Sequence, residues 1–357
     1  MIELKTKENW PEAQERFKRW WAREATDRPV TIVTCPREKP LTDASPPPEA
    51  ETPEQRWKDL DDIIARKKDH FARCEYMGEA FPWLHPALGP GALGAYLGAK
   101  PEFSQNTVWY EKCYDSPKEA NAILDENNEW WQWNLDYTQR IIDACEGDYI
   151  PAFPDLIENM DTVAQLLGTL ESVYAVGDQP DDIKRLQDET LASFVQVYNT
   201  MHDMMYTADS GSVFMGFDIW SPGRCLKMQC DIAALLSPDI FSEFVAPWFV
   251  KQCEQVDHVL YHLDGPDAIY SLDSLLEIEG INAIQWVPGA GNAPAEDDSW
   301  DFIYKKILDA GKGIWAFMPP ATARGFKKKF GSTGVYLSVG WIDSRDDARE
   351  LLADLAK

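Results

Sequence analysis

A histidine and an aspartate stand two residues apart at the end of a short apolar segment that begins at Val259. Side chains two residues apart point to the same side of a β-strand, so we expect His262 and Asp264 to converge on one point. Imidazole and carboxylate groups are suitable ligands for zinc, and they equally form an acid–base pair. A buried structural histidine followed by a helix-capping aspartate would give the same pattern without any chemistry.

Other polar residues follow similar apolar segments. We predict catalytic roles for Glu158 and Asp218 and a substrate contact for Asp155, although each could instead cap a helix. Cys230 could add a thiolate to the histidine–aspartate pair, because catalytic zinc takes three protein ligands and keeps an open position. A cysteine that only fills space in the core is the alternative.

Tryptophans also lie near the ends of these segments. Flat rings can stack on a flat or partly apolar ligand, although core packing explains a tryptophan equally well. The sequence therefore predicts a substrate pocket formed by Trp83, Trp220, Trp286 and Trp341, together with His85.

The elements that position these residues alternate along the chain. Short apolar strands separated by amphipathic helices are typical of parallel strands buried on both faces. Strands are predicted at 30–33, 81–84, 149–153, 212–217, 259–262, 281–286, 313–318 and 335–339. Eight strands close a barrel, and barrel enzymes carry their active sites at the carboxyl ends of the strands. We predict a single (β/α)8 TIM barrel over 29–357, preceded by an N-terminal helical extension over 1–28. An open doubly wound sheet is the alternative, but no GxGxxG follows the first strand.

Composition limits the partners. The 357 residues include 34 Lys and Arg against 60 Asp and Glu, a net charge of −26. This charge repels nucleic acid and anionic membranes, and we expect a small-molecule substrate instead. Seven cysteines without a CxxC motif, and no apolar run long enough for a signal or a membrane span, predict a cytoplasmic protein with reduced thiols.

Several segments, in their order and spacing, resemble the uroporphyrinogen decarboxylase superfamily. They are 154–158 with 166–168, 236–238 with Phe241, Phe244 and 247–248, 262–265, and 282–286. The superfamily contains the haem-pathway decarboxylase and zinc-dependent methyltransferases that move methyl groups between a corrinoid and a thiol or another acceptor. The resemblance implies the same barrel, with the residue 230 segment crossing its mouth.

The chain also departs from both activities. The stretch at 34–37 has one arginine where the decarboxylase is arginine-rich, and 82–85 lacks its aspartate. The methyltransferase pattern His-x-Cys becomes His262-x-Asp264, and 336–340 lacks the second cysteine. We therefore expect no turnover of uroporphyrinogen. The resemblance favours a corrinoid-linked methyltransferase or demethylase that binds zinc through His262, Asp264 and Cys230 and meets a corrinoid protein. A lyase or hydrolase of a sugar-like or carboxylated molecule, and a non-catalytic ligand-binding barrel, are the alternatives.

Overall fold

A computed structural model describes residues 4–207, 210–214 and 216–357. The helices are α1 (Trp10–Trp21), α2 (Pro53–Lys58), α3 (Leu60–Arg73), α4 (Ala92–Tyr96), α5 (Glu129–Cys145), α6 (Asn159–Leu167), α7 (Thr169–Asp178), α8 (Pro180–Met205), α9 (Pro238–Phe244), α10 (Ala246–Cys253), α11 (Leu272–Glu277), α12 (Asp301–Asp309), α13 (Pro320–Phe330) and α14 (Arg345–Leu355).

The strands are β1 (Val30–Pro36), β2 (Cys74–Gly78), β3 (Trp83–Leu84), β4 (Lys100–Phe103), β5 (Val108–Glu111), β6 (Ile150–Pro151), β7 (Ser212–Phe214), β8 (Ile219–Ser221), β9 (Cys225–Gln229), β10 (His258–Asp264), β11 (Ala283–Val287), β12 (Gly313–Phe317) and β13 (Val335–Trp341).

The central sheet has seven strands in the order β2-β1-β13-β12-β11-β10-β9. Its pairings are parallel except that of β2 with β1. A separate parallel pair joins β3 to β6, and a single bridge links Phe153 to Phe214. The chain is thus an α/β protein with a mostly parallel sheet, consistent with a barrel-like fold. Within the described residues the hydrogen-bonded ladder does not close on itself.

The region predicted as one strand at 212–217 is built differently. It is a hairpin in which β7 pairs antiparallel with β8, and the strand that joins the central sheet next to β10 is β9. Sequence periodicity did not reveal β9 because Lys227 and Gln229 interrupt the apolar run that is expected of a strand buried throughout. The placement of several candidate residues depends on this difference.

Helix α1 covers the amino-terminal end of the last strand. The Trp20 indole donates to the carbonyl of Gly334, which precedes β13, and the Trp21 indole donates to the carbonyl of Trp220 in β8. Phe17 and Trp220 pack together in this aromatic layer, with ring centroids 6.3 Å apart. The predicted helix before the first strand is therefore present, whereas its standing as a separate extension stays a prediction. No described helix is both long and apolar enough to cross a membrane.

Candidate functional site

Five residues, one on each of five neighbouring strands, lie in one register across the central sheet and form one layer. His262 of β10 is in register with Gln229 of β9 on one side and with Gln285 of β11 on the other. The same register continues from Gln285 to Trp315 and from Trp315 to Tyr336. Residues paired in this way on adjacent strands face the same side of a sheet. The layer therefore presents polar groups at β9 to β11 and aromatic rings at β12 and β13.

A candidate metal centre lies at the carboxyl end of β9 and β10. One potential ligand atom from each of Asp231, His262 and Asp264 lies within 4.8 Å of the others. His262 is half-buried, and the two aspartates are exposed to solvent. The i, i+2 spacing of His262 and Asp264 thus has the predicted consequence, because their side chains do converge.

Gln285 determines which nitrogen of His262 is free. The Nδ1 atom lies 2.5 Å from Gln285 Oε1, and an amide oxygen can only accept a hydrogen bond. The imidazole therefore carries its proton on Nδ1, and Nε2 keeps a lone pair for a metal or for a substrate proton.

Asp231 is held from two directions. The Asp161 carboxylate accepts hydrogen bonds from the backbone N–H groups of Asp231, at 2.8 Å, and Ile232, at 3.0 Å. These two residues begin a short 3₁₀ turn after β9, so Asp161 caps that turn from α6. The Gln229 amide donates to Asp231 Oδ2 at 2.9 Å. Both the backbone and the carboxylate of Asp231 are therefore positioned before any ligand binds.

A buried lysine supports the same strand. The Lys227 ammonium lies 2.6 Å from Asp155 Oδ1 and also donates to Gln229 Oε1. Lys227 is 1 % exposed, and a charge so deeply buried requires a partner. The structure thus pairs Asp155, predicted as a substrate contact, with Lys227.

Two buried carboxyl groups next to this network hold their protons unusually tightly. Burial, together with the charges of Asp155 and Asp161, raises the pKa of Glu158 to about 8, although Lys227 opposes the shift. Burial and the neighbouring charge of Asp231 raise the pKa of Asp161 to about 7. A pKa of about 8 suits a group that exchanges a proton near neutral pH, and the catalytic role of Glu158 stays a prediction. It lies 1 % exposed at the start of α6.

Asp218 lies at the tip of the β7–β8 hairpin, in a left-handed conformation with φ of 50°. The indole of Trp83 donates to its carboxylate, and the hydroxyl of Tyr336 donates to its backbone carbonyl at 2.8 Å. Burial raises the pKa of Asp218. Its neighbour Phe217 packs beside His262, with ring centroids 5.9 Å apart. The hairpin tip therefore reaches the layer that carries His262.

The four tryptophans predicted to form one pocket lie in different surroundings. Trp220 is 3 % exposed beneath α1, and Trp286 is 1 % exposed and packs on Trp300 at 5.1 Å between ring centroids. Trp341 is 48 % exposed and donates to Asp343. Trp83 is half-buried and lines a cavity together with His85.

A cleft of about 620 Å³ is lined by Asp231, one of the three potential metal ligands. Asp161, Tyr110 of β5, Gln165 of α6 and Leu235 also line it, whereas His262 and Asp264 do not. Its volume suits a small organic molecule. The cavity that contains Trp83 and His85, of about 480 Å³, has a different set of lining residues.

Comparison with known proteins finds a similar fold but no similar sequence. No known family profile matches the chain, and no curated protein sequence matches it. A methyltransferase from Methanosarcina mazei has a similar structure, with a TM-score of 0.62 over 96 % of this chain and 98 % of that one. The two sequences are 12 % identical, so the similarity establishes a shared fold over essentially the whole chain.

The donor set of the cluster suits a divalent metal. One imidazole nitrogen and two carboxylate oxygens are ligands that zinc accepts, and they also suit manganese or iron. The free Nε2 of His262 and the held carboxylate of Asp231 fit such an ion, and three protein ligands leave room for substrate.

Cys230 lies outside the cluster. It is 4 % exposed, and burial raises the pKa of its thiol well above the ordinary value. Lys227 and Gln229 of β9 and Asp231 just after it follow at every second position. Lys227 contacts Gln229, and Gln229 contacts Asp231, so Cys230 points to the other side. The polar residues at i, i+2 and i+4 are the signal that could have identified Asp231 from the sequence.

Proposed function

We propose that this protein is a metal-dependent methyltransferase acting on a small molecule, with a divalent ion, zinc by preference, bound by Asp231, His262 and Asp264. The convergence of these three ligand atoms within 4.8 Å is the observation that carries the proposal. The bound metal would act as a Lewis acid on the group that loses or accepts the methyl.

The ligand set suggests how the activity differs from that of the thiol methyltransferases. Where the superfamily pattern has the cysteine of His-x-Cys, this chain has Asp264. The second carboxylate, Asp231, follows β9 and does not stand at the position of the second cysteine, which 336–340 lacks. Oxygen ligands favour a harder metal environment, which suits an oxygen-bearing substrate, such as a methoxylated aromatic compound, better than a thiol. We propose that such a substrate occupies the cleft above Asp231 and that a corrinoid on a cytoplasmic partner protein exchanges the methyl group.

The proposal assumes that the chain closes the eight-stranded barrel of the uroporphyrinogen decarboxylase superfamily. In that barrel β3 and β6 would bridge the two edges of the central sheet, which are β2, beside β1, and β9. The whole-chain similarity to a methyltransferase structure supports this arrangement. The roles of the protein's own residues follow: Gln285 orients His262, Asp161 and Gln229 hold Asp231, and Glu158 stores a proton nearby.

The test is metal content followed by activity. Elemental analysis of the purified protein should find about one divalent ion per chain, and Asp231→Asn, His262→Ala and Asp264→Asn should each lose it. Cys230→Ala is the matched control and should keep the metal. Methyl transfer from a methoxylated aromatic compound to a corrinoid protein should then be lost with the same three variants. Retention of metal by all three would refute the proposed ligand set.

Acid–base chemistry without a metal is a second candidate, since Glu158 and Asp161 both hold protons near neutral pH. A lyase or hydrolase of this kind would keep full activity after treatment with a chelator, whereas the proposed methyltransferase would lose it. A barrel that only binds a ligand would show neither activity.

A further inference from the structure

The second cavity is unusual because it gathers positive charge in a strongly acidic protein. It lies between α3, α5 and the end of β3, and Arg56, Arg66 and Lys67 line it together with one carboxylate, Glu49. Arg66 is paired with Asp62. Among the described residues, Arg56 and Lys67 form no ion pair. With 60 acidic residues in the chain, this concentration of unneutralised cations creates a local positive potential.

The cations of this cavity lie close enough to repel one another. Desolvation, and then the charges of Arg56 and Arg66, lower the pKa of Lys67. Burial and the charge of Lys67 lower the pKa of His85 to about 3, so the imidazole is neutral and can still donate one hydrogen bond. An anion in the cavity would relieve this repulsion.

Two buried polar atoms of the cavity lack partners. The hydroxyl of Tyr137, a residue that is 0 % exposed, and the Nδ1 of His85 make no hydrogen bond in the described structure. Leaving such groups unsatisfied is costly, and both residues line the cavity. Both atoms are shielded from solvent, however, so a ligand in the cavity reaches them only if these side chains shift. The polar contacts open to a ligand are those of the exposed Arg56 and Lys67.

The remaining walls are flat and apolar. Trp57 and Trp83 both line the cavity, and the Trp83 ring centroid lies 5.4 Å from that of His85. Aromatic walls suit a flat hydrocarbon body, while cations suit its charged end. A cavity of about 480 Å³ accommodates a compact molecule of this type.

We propose that this cavity is a binding site for a small aromatic carboxylate, whose carboxylate is bound by Arg56 and Lys67 and whose ring lies against Trp83. The site does not depend on the metal cluster, because the residues that line it are different. It would let the protein recognise an acidic molecule despite its net charge of −26.

The test uses 4-fluorobenzoate, observed by ¹⁹F NMR relaxation, with neutral 4-fluorobenzamide as its isosteric control. The carboxylate should bind at least about tenfold more tightly than the amide. Arg56→Gln and Lys67→Gln should each weaken its binding about tenfold, the range expected for loss of a hydrogen bond to a charged group. Lys328→Gln, which removes one exposed charge elsewhere, should leave binding unchanged.

Four results would overturn the proposal. Equal binding of the amide would show that charge is not recognised, and full binding to both Arg56→Gln and Lys67→Gln would place the probe elsewhere. Loss of binding in His262→Ala would assign the probe to the metal cluster instead. Inorganic phosphate serves as a competitor, and tighter binding of phosphate than of the carboxylate would overturn the assignment of ligand class.

Discussion

His262 Nδ1 lies 2.5 Å from Gln285 Oε1, and this contact joins two strands whose residues are 23 positions apart in the chain. It selects the tautomer of the neutral imidazole and leaves the lone pair on Nε2. Gln285 is therefore a positioning residue for the candidate metal centre.

Replacement of Gln285 should weaken metal binding without unfolding the protein. Gln285→Leu removes the acceptor for His262, and loss of such a partner typically costs about 10- to 100-fold in metal affinity. Gln285→Glu keeps an acceptor oxygen and should restore most of the affinity. Competition with a chromophoric chelator measures both variants, and an unchanged affinity in Gln285→Leu would show that the contact has no orienting role.

Asp161 should matter for both stability and the site. Asp161→Ala removes the cap on the turn that begins at Asp231, which should lower the free energy of unfolding by about 1 kcal/mol. The same change removes the hydrogen bond that holds the backbone N–H of Asp231. We therefore expect the metal affinity to fall together with the free energy of unfolding. Urea unfolding and metal titration of one preparation give both values, and Ser237→Ala, which removes the N-cap of α9, is the control for stability alone. A loss of affinity as large in Ser237→Ala would contradict this role.

The stability of the protein should depend on pH through Glu158. Burial raises its pKa from 4.5 to about 8, so the folded state holds a proton that the unfolded state releases. Its contribution is complete below about pH 4.5 and is lost as the pH rises toward 8. Glu158→Gln removes this loss, and at pH 8.5 it should be more stable than the unmodified protein by on the order of 2 kcal/mol. Thermal unfolding at pH 5 and pH 8.5 measures the difference, which should shrink at the lower pH; a difference that grows there would refute the assignment.

The pair formed by Lys227 and Asp155 should show strong coupling. Lys227→Met leaves Asp155 with no cation in a largely buried position, and breaking such a pair typically costs about 3–5 kcal/mol. The double variant Lys227→Met with Asp155→Leu removes both charges and should recover most of that loss. Chemical denaturation of the two single variants and the double variant gives the coupling energy, and simple additivity would show that the pair does not interact.

The periodicity of the sequence was sufficient to predict part of the candidate metal centre and of the sheet. The direction of side chains along one strand depends only on the strand, so the convergence of His262 and Asp264 follows from their spacing. Alternation of apolar strands and amphipathic helices likewise predicted a mostly parallel α/β sheet. Such local rules extend over a few residues, which is why the hairpin at 212–221 and the role of β9 were not predicted.

The third member of the cluster depended on tertiary structure. Asp231 joins His262 only because β9 lies beside β10 and because Asp161, 70 residues earlier in the chain, caps the turn that carries it. Burial likewise determined that Trp220 and Trp286 pack in the interior, whereas their sequence positions equally suit a pocket. The sequence by itself determined which side chains share one face of one strand. The packing of strands and helices from distant parts of the chain decided which of those faces meet, since contacts between elements depend on the fold and not on local spacing.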